Sequence, residues 1–251
     1  MIGRHRWHIQ VMTNRGFLLE RMERFLQCRL AENTPREGYP MRPSITISRQ
    51  CGTGIDAIEK ILVDYLDSAD DSSDQGWALF NQSLVGKVIE NGKLDQSVEP
   101  FLVENTKFPV LEAFEELLNL HPSNWTLFNH TASTIRKLCR MGGAIVVGRA
   151  GNFVTADLKN TFHVRLIGSD EFRIEYTANR YAMTLDDATE FVKESDKGRA
   201  KYVKRYAHAD IDCSDCYHLI INTDNCREDS LAHAVGDAAL EWAGSEDQTM
   251  R

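Results

Sequence analysis

The chain has 251 residues, 42% of them hydrophobic and 26% charged, which provides enough apolar material for the core of one globular domain. A net charge of −8 argues against a general nucleic-acid coat, so no nucleic-acid polymer is expected as a partner. No apolar run approaches ~18 residues and the N-terminus lacks the apolar stretch of a secretory signal; the expectation is a cytoplasmic protein with no membrane partner.

Residues 1–43 read as an N-terminal extension. Arg4, Arg6 and Arg15 precede the first acid, Glu20, in superficial likeness to a transit peptide. A ragged start followed by a helix, Phe17–Leu30, fits better, because Phe17, Leu18, Met22, Phe25 and Leu26 recur at helical spacing. A lone helix of about 14 residues is marginal in water. Its apolar stripe is therefore expected to dock on the main domain or on a second subunit, which makes a homodimer through this helix one expectation. Residues 1–15 are expected to pack loosely. Pro35, Gly38, Pro40 and Pro43 then mark a linker.

A main domain over 44–242 follows. Ser44–Ser48 is a β-type run that enters a glycine loop, and then a helix with Ile58, Ile61, Leu62, Tyr65 and Leu66 on one face. Asp67–Gln75 reads as an acidic surface loop. Val110–Leu120 and Trp125–Arg140 read as helices split by His121-Pro122-Ser123. Ala144–Val147 and Thr161–Ile167 read as strands, and Asp170–Arg180 as a helix. Thr184 with Asp187 three residues on resembles a capping box that opens a long helix to about Tyr206. Tyr217–Asn222 is the last predicted strand, Asp229–Trp242 the last helix, and 243–251 a polar tail.

Short apolar strands alternating with amphipathic helices call for an α/β fold with a mainly parallel sheet covered on both faces. Ligands in such sheets sit beyond the carboxyl ends of the strands. This directs attention to Arg49–Asp56, Arg149–Asn152 and the segment after Ile167. The cysteines are scattered at 28, 51, 139, 213, 216 and 226, and only Cys213 and Cys216 form a C-x-x-C pair. A zinc site needs two more ligands, and the nearby His208 and His218 fit no familiar spacing. A redox pair is expected to open a helix after a strand, whereas this one precedes the strand at Tyr217. Reduced thiols are the expectation.

Strand, glycine loop and helix follow one another in Ile45-Thr-Ile-Ser-Arg-Gln-Cys-Gly-Thr-Gly-Ile-Asp-Ala-Ile58. Glycines at 52 and 54 let the backbone turn N–H groups toward an anion, and the helix adds its positive end. Together with Val146-Val147-Gly148-Arg149, Asp196-Lys-Gly-Arg199-Ala-Lys-Tyr202 and Ile220-Ile221-Asn222-Thr223, this run resembles the cytidylate kinase-like family over about residues 16–240. The resemblance implies a P-loop NTPase-like three-layer sandwich with a helical lid at about 170–212. It also implies ATP-dependent phosphoryl transfer to a nucleoside monophosphate such as CMP, or to a similar small acceptor, with ATP and Mg²⁺ as cofactors.

On that reading Arg49, Gly52, Thr53, Gly54, Ile55 and Asp56 hold the ATP phosphates. Arg149 grips the acceptor phosphate with a planar fork, and Arg199, within the basic set Lys193, Lys197, Lys201, Lys204 and Arg205, neutralises the transferring group. Arg149 and Arg199 are thus the candidate catalytic residues, and Arg173 and Arg180 border the same cleft. Plain alternatives stand beside these roles: Arg149 as a buried structural arginine, and Arg199 as a partner of Asp196 at i, i+3.

The chain also departs from the family pattern. Ile55 stands where an ordinary phosphate loop has lysine, and Asp56 where it has the Mg²⁺-binding hydroxyl. Asp56 is the candidate metal ligand, but its carboxylate also satisfies the helix start and repels phosphate. Phe80-Asn81-Gln82 replaces F-D-K, and Gly148-Arg149-Ala150 replaces G-R-D. Two readings remain: an active phosphotransferase, and a catalytically impaired pseudokinase serving as a nucleotide-sensing or protein-interaction module.

Overall fold

The structure, a computed structural model, describes residues 16–28, 42–70, 76–81 and 124–249. In chain order its elements are α1 (residues 16–28), β1 (Ser44–Arg49), α2 (Ile55–Ala69), β2 (Ala78–Phe80), α3 (Asn124–Met141) and β3 (Ala144–Val147). There follow α4 (Gly151–Val154), β4 (Thr161–Ile167), α5 (Asp170–Tyr181), α6 (Leu185–Tyr206), β5 (Leu219–Asn222) and α7 (Glu228–Thr249). The expected helix Val110–Leu120 and the expected ragged start at 1–15 lie outside the described residues.

The five strands form one sheet in the order β2-β3-β1-β4-β5, and every pairing is parallel. Ile45 of β1 lies opposite Ile145 of β3 on one side and Phe162 of β4 on the other. From β1 the chain builds to one side with β2 and β3, then crosses to the other with β4 and β5. The reversal at β1 puts the crevice beyond its carboxyl end, where sheets of this kind take ligands. β3 is buried at every position and β4 from Thr161 to Leu166, because helices cover both faces. This is why β3 reads as a continuous apolar run, whereas β4, T-F-H-V-R-L-I, buries Thr161, His163 and Arg165 between its apolar residues. α2 packs along α7, and α5 packs along α6. Ser169 and Thr184 cap the starts of α5 and α6, accepting the N–H groups of Phe172 at 3.3 Å and Asp187 at 3.1 Å. Among the described residues, no helix is long and apolar enough to cross a membrane.

At the edges of the domain one open expectation is resolved, since α1 docks on the main domain, and two change. The stripe of α1 is covered by its own domain: Leu18, Met22, Phe25 and Leu26 belong to the main core, and the Phe25 ring meets Phe80 edge-on at 5.6 Å. That face is therefore not available to a second subunit, and α1 is integral to the fold rather than an appendage. Asp67, Ser68 and Ala69 close α2 instead of opening a surface loop. Asp67 pairs with Arg21 of α1 and accepts the Trp77 N–H at 2.6 Å, while Asp70 pairs with Arg42 at 3.0 Å. These acids tie three segments together, which their density in the sequence concealed. Finally, α7 runs through 243–249, most of the expected polar tail.

His163 of β4 gives the domain a pH dependence. It is buried, its Nδ1 lies 2.8 Å from Thr46 Oγ1, and its backbone N–H donates to His218 Nδ1 at 2.8 Å. Burial, and then the neighbouring His218, lower its pKa from 6.5 to about 4. Between those values the unfolded chain binds the proton and the folded chain does not. Stability is therefore complete above pH 6.5 and declines as pH falls toward 4, by up to ~1.4 kcal/mol per pH unit. The melting temperature at pH 5 is expected to lie below that at pH 7, and His163→Gln to narrow the gap. An equal drop in the variant would assign the effect to another group.

Candidate functional site

The loop after β1 takes its shape from two left-handed glycines, Gly52 at φ +81° and Gly54 at φ +76°. Gly54 precedes the first turn of α2 without a side-chain cap, so no side chain of the cap residue takes up the first backbone N–H groups of the helix. Gln50 anchors the loop to the end of β4: its N–H donates to Leu166 O and its Oε1 accepts the Gly168 N–H, both at 3.0 Å. This is a strand, nest and helix start of the kind that cradles phosphates.

Helix α5 lies directly on this loop. A Cβ at Gly52 would stand 2.3 Å from the Arg173 carbonyl oxygen, and one at Gly54 would stand 3.5 Å from the Tyr176 ring. The Tyr176 hydroxyl donates to Asp56 Oδ1 at 2.9 Å, and Arg180 Nε donates to Oδ2 at 2.7 Å. Burial, reinforced by Asp56, pushes the Tyr176 pKa well above the usual phenol range, so it stays a donor. This geometry resolves the clash expected between Asp56 and phosphate, since Arg180 neutralises the carboxylate from within the chain. It also counts against Asp56 as a Mg²⁺ ligand: both of its oxygens already have partners, and a metal there would displace them. Arg180 itself is engaged with Asp56 rather than turned toward a substrate.

Arg173 departs further from expectation. It is buried, and its guanidinium donates to Gly168 O at 3.0 Å, Cys51 O at 3.1 Å, Asp170 Oδ1 at 2.5 Å and Asp196 Oδ2 at 2.6 Å. These partners make it a clamp that joins the glycine loop, the exit of β4 and the helices α5 and α6. A substrate phosphate is not needed to satisfy it. Asp196 completes the clamp by accepting the Cys51 N–H at 2.7 Å and Arg199 Nη1 at 3.1 Å. The sequence shows Asp196 as part of a motif and as the i, i+3 partner of Arg199; its reach to Cys51 and Arg173 is visible only in the fold.

The remaining arginines converge elsewhere. A cavity of about 20 Å³ lies beyond the ends of β1 and β3, lined by Ser48, Arg49, Gly148, Arg149, Ala150, Asn152, Arg199, Tyr202, Val203 and Ile211. Its volume is that of about one water. Arg49, Arg149 and Arg199 are brought together here, whereas Gly52, Thr53, Gly54, Ile55 and Asp56 are not among the lining residues. Gly148, Arg149 and Ala150 all have left-handed backbone, with φ of +84°, +57° and +54°. Two consecutive non-glycine residues in this region cost of the order of 1–3 kcal/mol each, a strain that concentrates at functional sites. Arg149 is only 5% exposed, so it is buried as its plain alternative required, yet it borders the cavity. Likewise Arg199 both pairs with Asp196 and lines the cavity.

Behind this wall Arg165 of β4 donates to Ser48 Oγ at 3.0 Å and pairs with Asp212. The sequence reading missed it, although an arginine inside the strand T-F-H-V-R-L-I was a legible signal. Among the described residues, no cluster of three or more His, Cys, Asp or Glu is placed to hold a metal ion.

A family model described as "Cytidylate kinase-like family" matches residues 44–225, well over half of the chain. The chain belongs to the cytidylate kinase-like family. Membership, with the parallel sheet and the strand–glycine loop–helix unit, establishes the α/β P-loop kinase-like fold and supports a kinase-type phosphotransferase, without choosing an acceptor. No curated protein matches. Among solved structures, the chain is similar to an uncharacterized protein from Eubacterium ventriosum at 15% identity and a TM-score of 0.54, covering 77% of this chain and 96% of that one. A shikimate kinase from Bacteroides thetaiotaomicron aligns at 11% identity and TM-score 0.45, over 78% of this chain and 97% of that one. A gluconokinase from Sinorhizobium meliloti aligns at 10% and 0.41, over 84% and 97%.

Proposed function

We propose that this cytidylate kinase-like protein is an ATP-dependent phosphotransferase that moves a phosphoryl group to a nucleoside monophosphate or a similar small acceptor. The observation that carries the reading is the convergence of Arg49, Arg149 and Arg199 on one cavity at the carboxyl ends of β1 and β3. In this proposal the backbone of Gly52–Asp56 receives the donor phosphates, Arg149 holds the acceptor phosphate, and Arg199 neutralises the transferring group from the lid helix α6. ATP supplies the phosphoryl group; the chain binds, orients and excludes water. Since the cavity is far smaller than a phosphate, α6 has to move outward for the acceptor to enter and close again afterwards, in the manner of a lid. Any Mg²⁺ is brought with the nucleotide, because Asp56 is held by Arg180 and Tyr176. The domain is taken as residues 44–242 together with α1, its lid about 170–212, and its setting as cytoplasmic.

A second reading is supported by the self-satisfied loop. Asp56–Arg180 and Cys51–Asp196 meet the charge and one loop N–H from within the chain. On that reading the protein binds nucleotide as a sensor and transfers nothing. Calorimetric titration with ATP and then CMP, both with Mg²⁺, followed by measurement of ADP formation, separates the two. Arg149→Lys is expected to weaken acceptor binding about 10–100-fold, the loss of a charge-assisted hydrogen bond, with ATP affinity and melting temperature nearly unchanged. Unfolding of that variant would make Arg149 structural. Nucleotide binding without any ADP formation would favour the sensor.

A further inference from the structure

The C-x-x-C pair lies outside this machinery, on the turn that joins the lid helix to β5. Cys213 precedes the short 3₁₀ turn Ser214–Cys216, and the Cys216 N–H donates to Cys213 O at 3.2 Å. Side chains three residues apart eclipse in such a turn, and a rise of ~2.0 Å per residue sets their Cα atoms about 6 Å apart. That separation falls inside the ~4.4–6.8 Å span of disulfides. The two thiols are in hydrogen-bond contact and both are half-buried, so they are reachable, whereas Cys51 and Cys139 are buried.

We propose that Cys213 and Cys216 are a reversible disulfide site, oxidised by a peroxide or a small disulfide, and that its closure stiffens the wall of the cavity. With hydrogen peroxide, one thiolate attacks a peroxide oxygen and the O–O bond breaks, which leaves a sulfenic acid and hydroxide. The second thiol then attacks the sulfenic sulfur, the S–O bond breaks, and water leaves. Two thiols and one peroxide become one disulfide and two waters. A small disulfide reaches the same product by two exchange steps that release two thiols. Burial, contact with Cys213, and the carboxylates of Asp215 and Asp210 raise the Cys216 pKa, so Cys216 rests as a thiol until oxidant arrives.

The turn is clamped to the cavity on both flanks. Ile211 lines the cavity, and Asp212 pairs with Arg165, which donates to Ser48 Oγ. On the far side the Tyr217 hydroxyl donates to Ile211 O at 2.8 Å and lies 3.4 Å from Ser48 Oγ. A covalent link across the turn removes play between these anchors and holds the end of α6 over the cavity.

The coupling to phosphate binding rests on the proposed function; the disulfide does not. The test treats the full-length protein with equimolar diamide or hydrogen peroxide. Intact mass is expected to fall by two hydrogens, peptide mapping to link Cys213 with Cys216, and a dithiol to reverse the change. Cys213→Ser should abolish it and Cys226→Ser should not. No mass loss, or a link between other cysteines, overturns the site. Hydrogen exchange over Arg199–Val203 is expected to slow on oxidation, and the Kd for inorganic pyrophosphate to rise about fivefold, the low end of ordinary coupling. Unchanged exchange overturns the coupling. Failure of both redox forms to bind pyrophosphate, with slowed exchange intact, counts against the proposed phosphate site and not against the disulfide.

Discussion

Phe25→Ala is expected to cost about 3–5 kcal/mol of stability, the range for emptying an aromatic from a closed core. Phe25 is fully buried, and its ring stands edge-on to Phe80 at the end of β2. The substitution removes that contact and leaves a void among Leu18, Met22 and the sheet, where the backbone has little room to collapse. Glu23→Ala, on the exposed face of the same helix, is the control, with an expected effect within about 0.5 kcal/mol. Urea unfolding of the two variants decides between α1 as core and α1 as appendage. A cost below about 1 kcal/mol for Phe25→Ala would restore the appendage.

That case illustrates what periodicity can and cannot express. The spacing of Leu18, Met22, Phe25 and Leu26 requires a partner for the stripe, but it carries no address for that partner. The domain and a second subunit remained equally open until the helix was seen against Phe80. Strands were more legible: Ala144–Val147 and Thr161–Ile167 have the expected bounds. In Ala144–Val147 burial on both faces writes an uninterrupted apolar run, and in Thr161–Ile167 Phe162, Val164 and Leu166 alternate with polar residues. The caps at Ser169 and Thr184 are local, and the Thr184–Asp187 box was read directly.

The site behaved differently because its chemistry is long-range. Asp56 reads as an isolated acid at a helix start, yet its partners Tyr176 and Arg180 lie 120 and 124 residues away. Asp196 reaches Cys51 across 145 residues. Nothing in the local sequence distinguishes the neutralised carboxylate seen here from a metal ligand. The same holds for the arginines. Arg49, Arg149 and Arg199 were selected by motif and do share a cavity. Arg173 and Arg180 were selected by proximity in sequence to the lid, and both are committed to carboxylates of the chain.

The contact between α5 and the glycine loop leads to the second large effect. Gly52→Ala is expected to cost about 2–5 kcal/mol, the sum of two penalties. At φ +81° an alanine pays roughly 1–2 kcal/mol of left-handed strain. Its Cβ would also stand 2.3 Å from the Arg173 carbonyl and 2.8 Å from Thr177 Oγ1, an overpacking of about 1–3 kcal/mol. The Arg173 oxygen is backbone and already accepts the Thr177 hydroxyl at 2.7 Å, so no rotamer change relieves the contact. Helix α5 has to withdraw, and with it go the clamp of Arg173 and the donors that hold Asp56. Gly54→Ala is the comparison: it carries the same kind of backbone strain at φ +76°, but its Cβ meets only the Tyr176 ring at 3.5 Å, ordinary packing. It should cost only about 1–2 kcal/mol. Thermal unfolding measures the difference, and titration with ATP measures its consequence. If α5 holds the loop in its phosphate-binding shape, Gly52→Ala loses stability and nucleotide affinity together. Equal costs for the two glycines would mean that α5 does not rest on the loop in solution. A destabilised Gly52→Ala that binds ATP more tightly would mean that α5 obstructs the loop, and that the lid must lift before the donor nucleotide can bind.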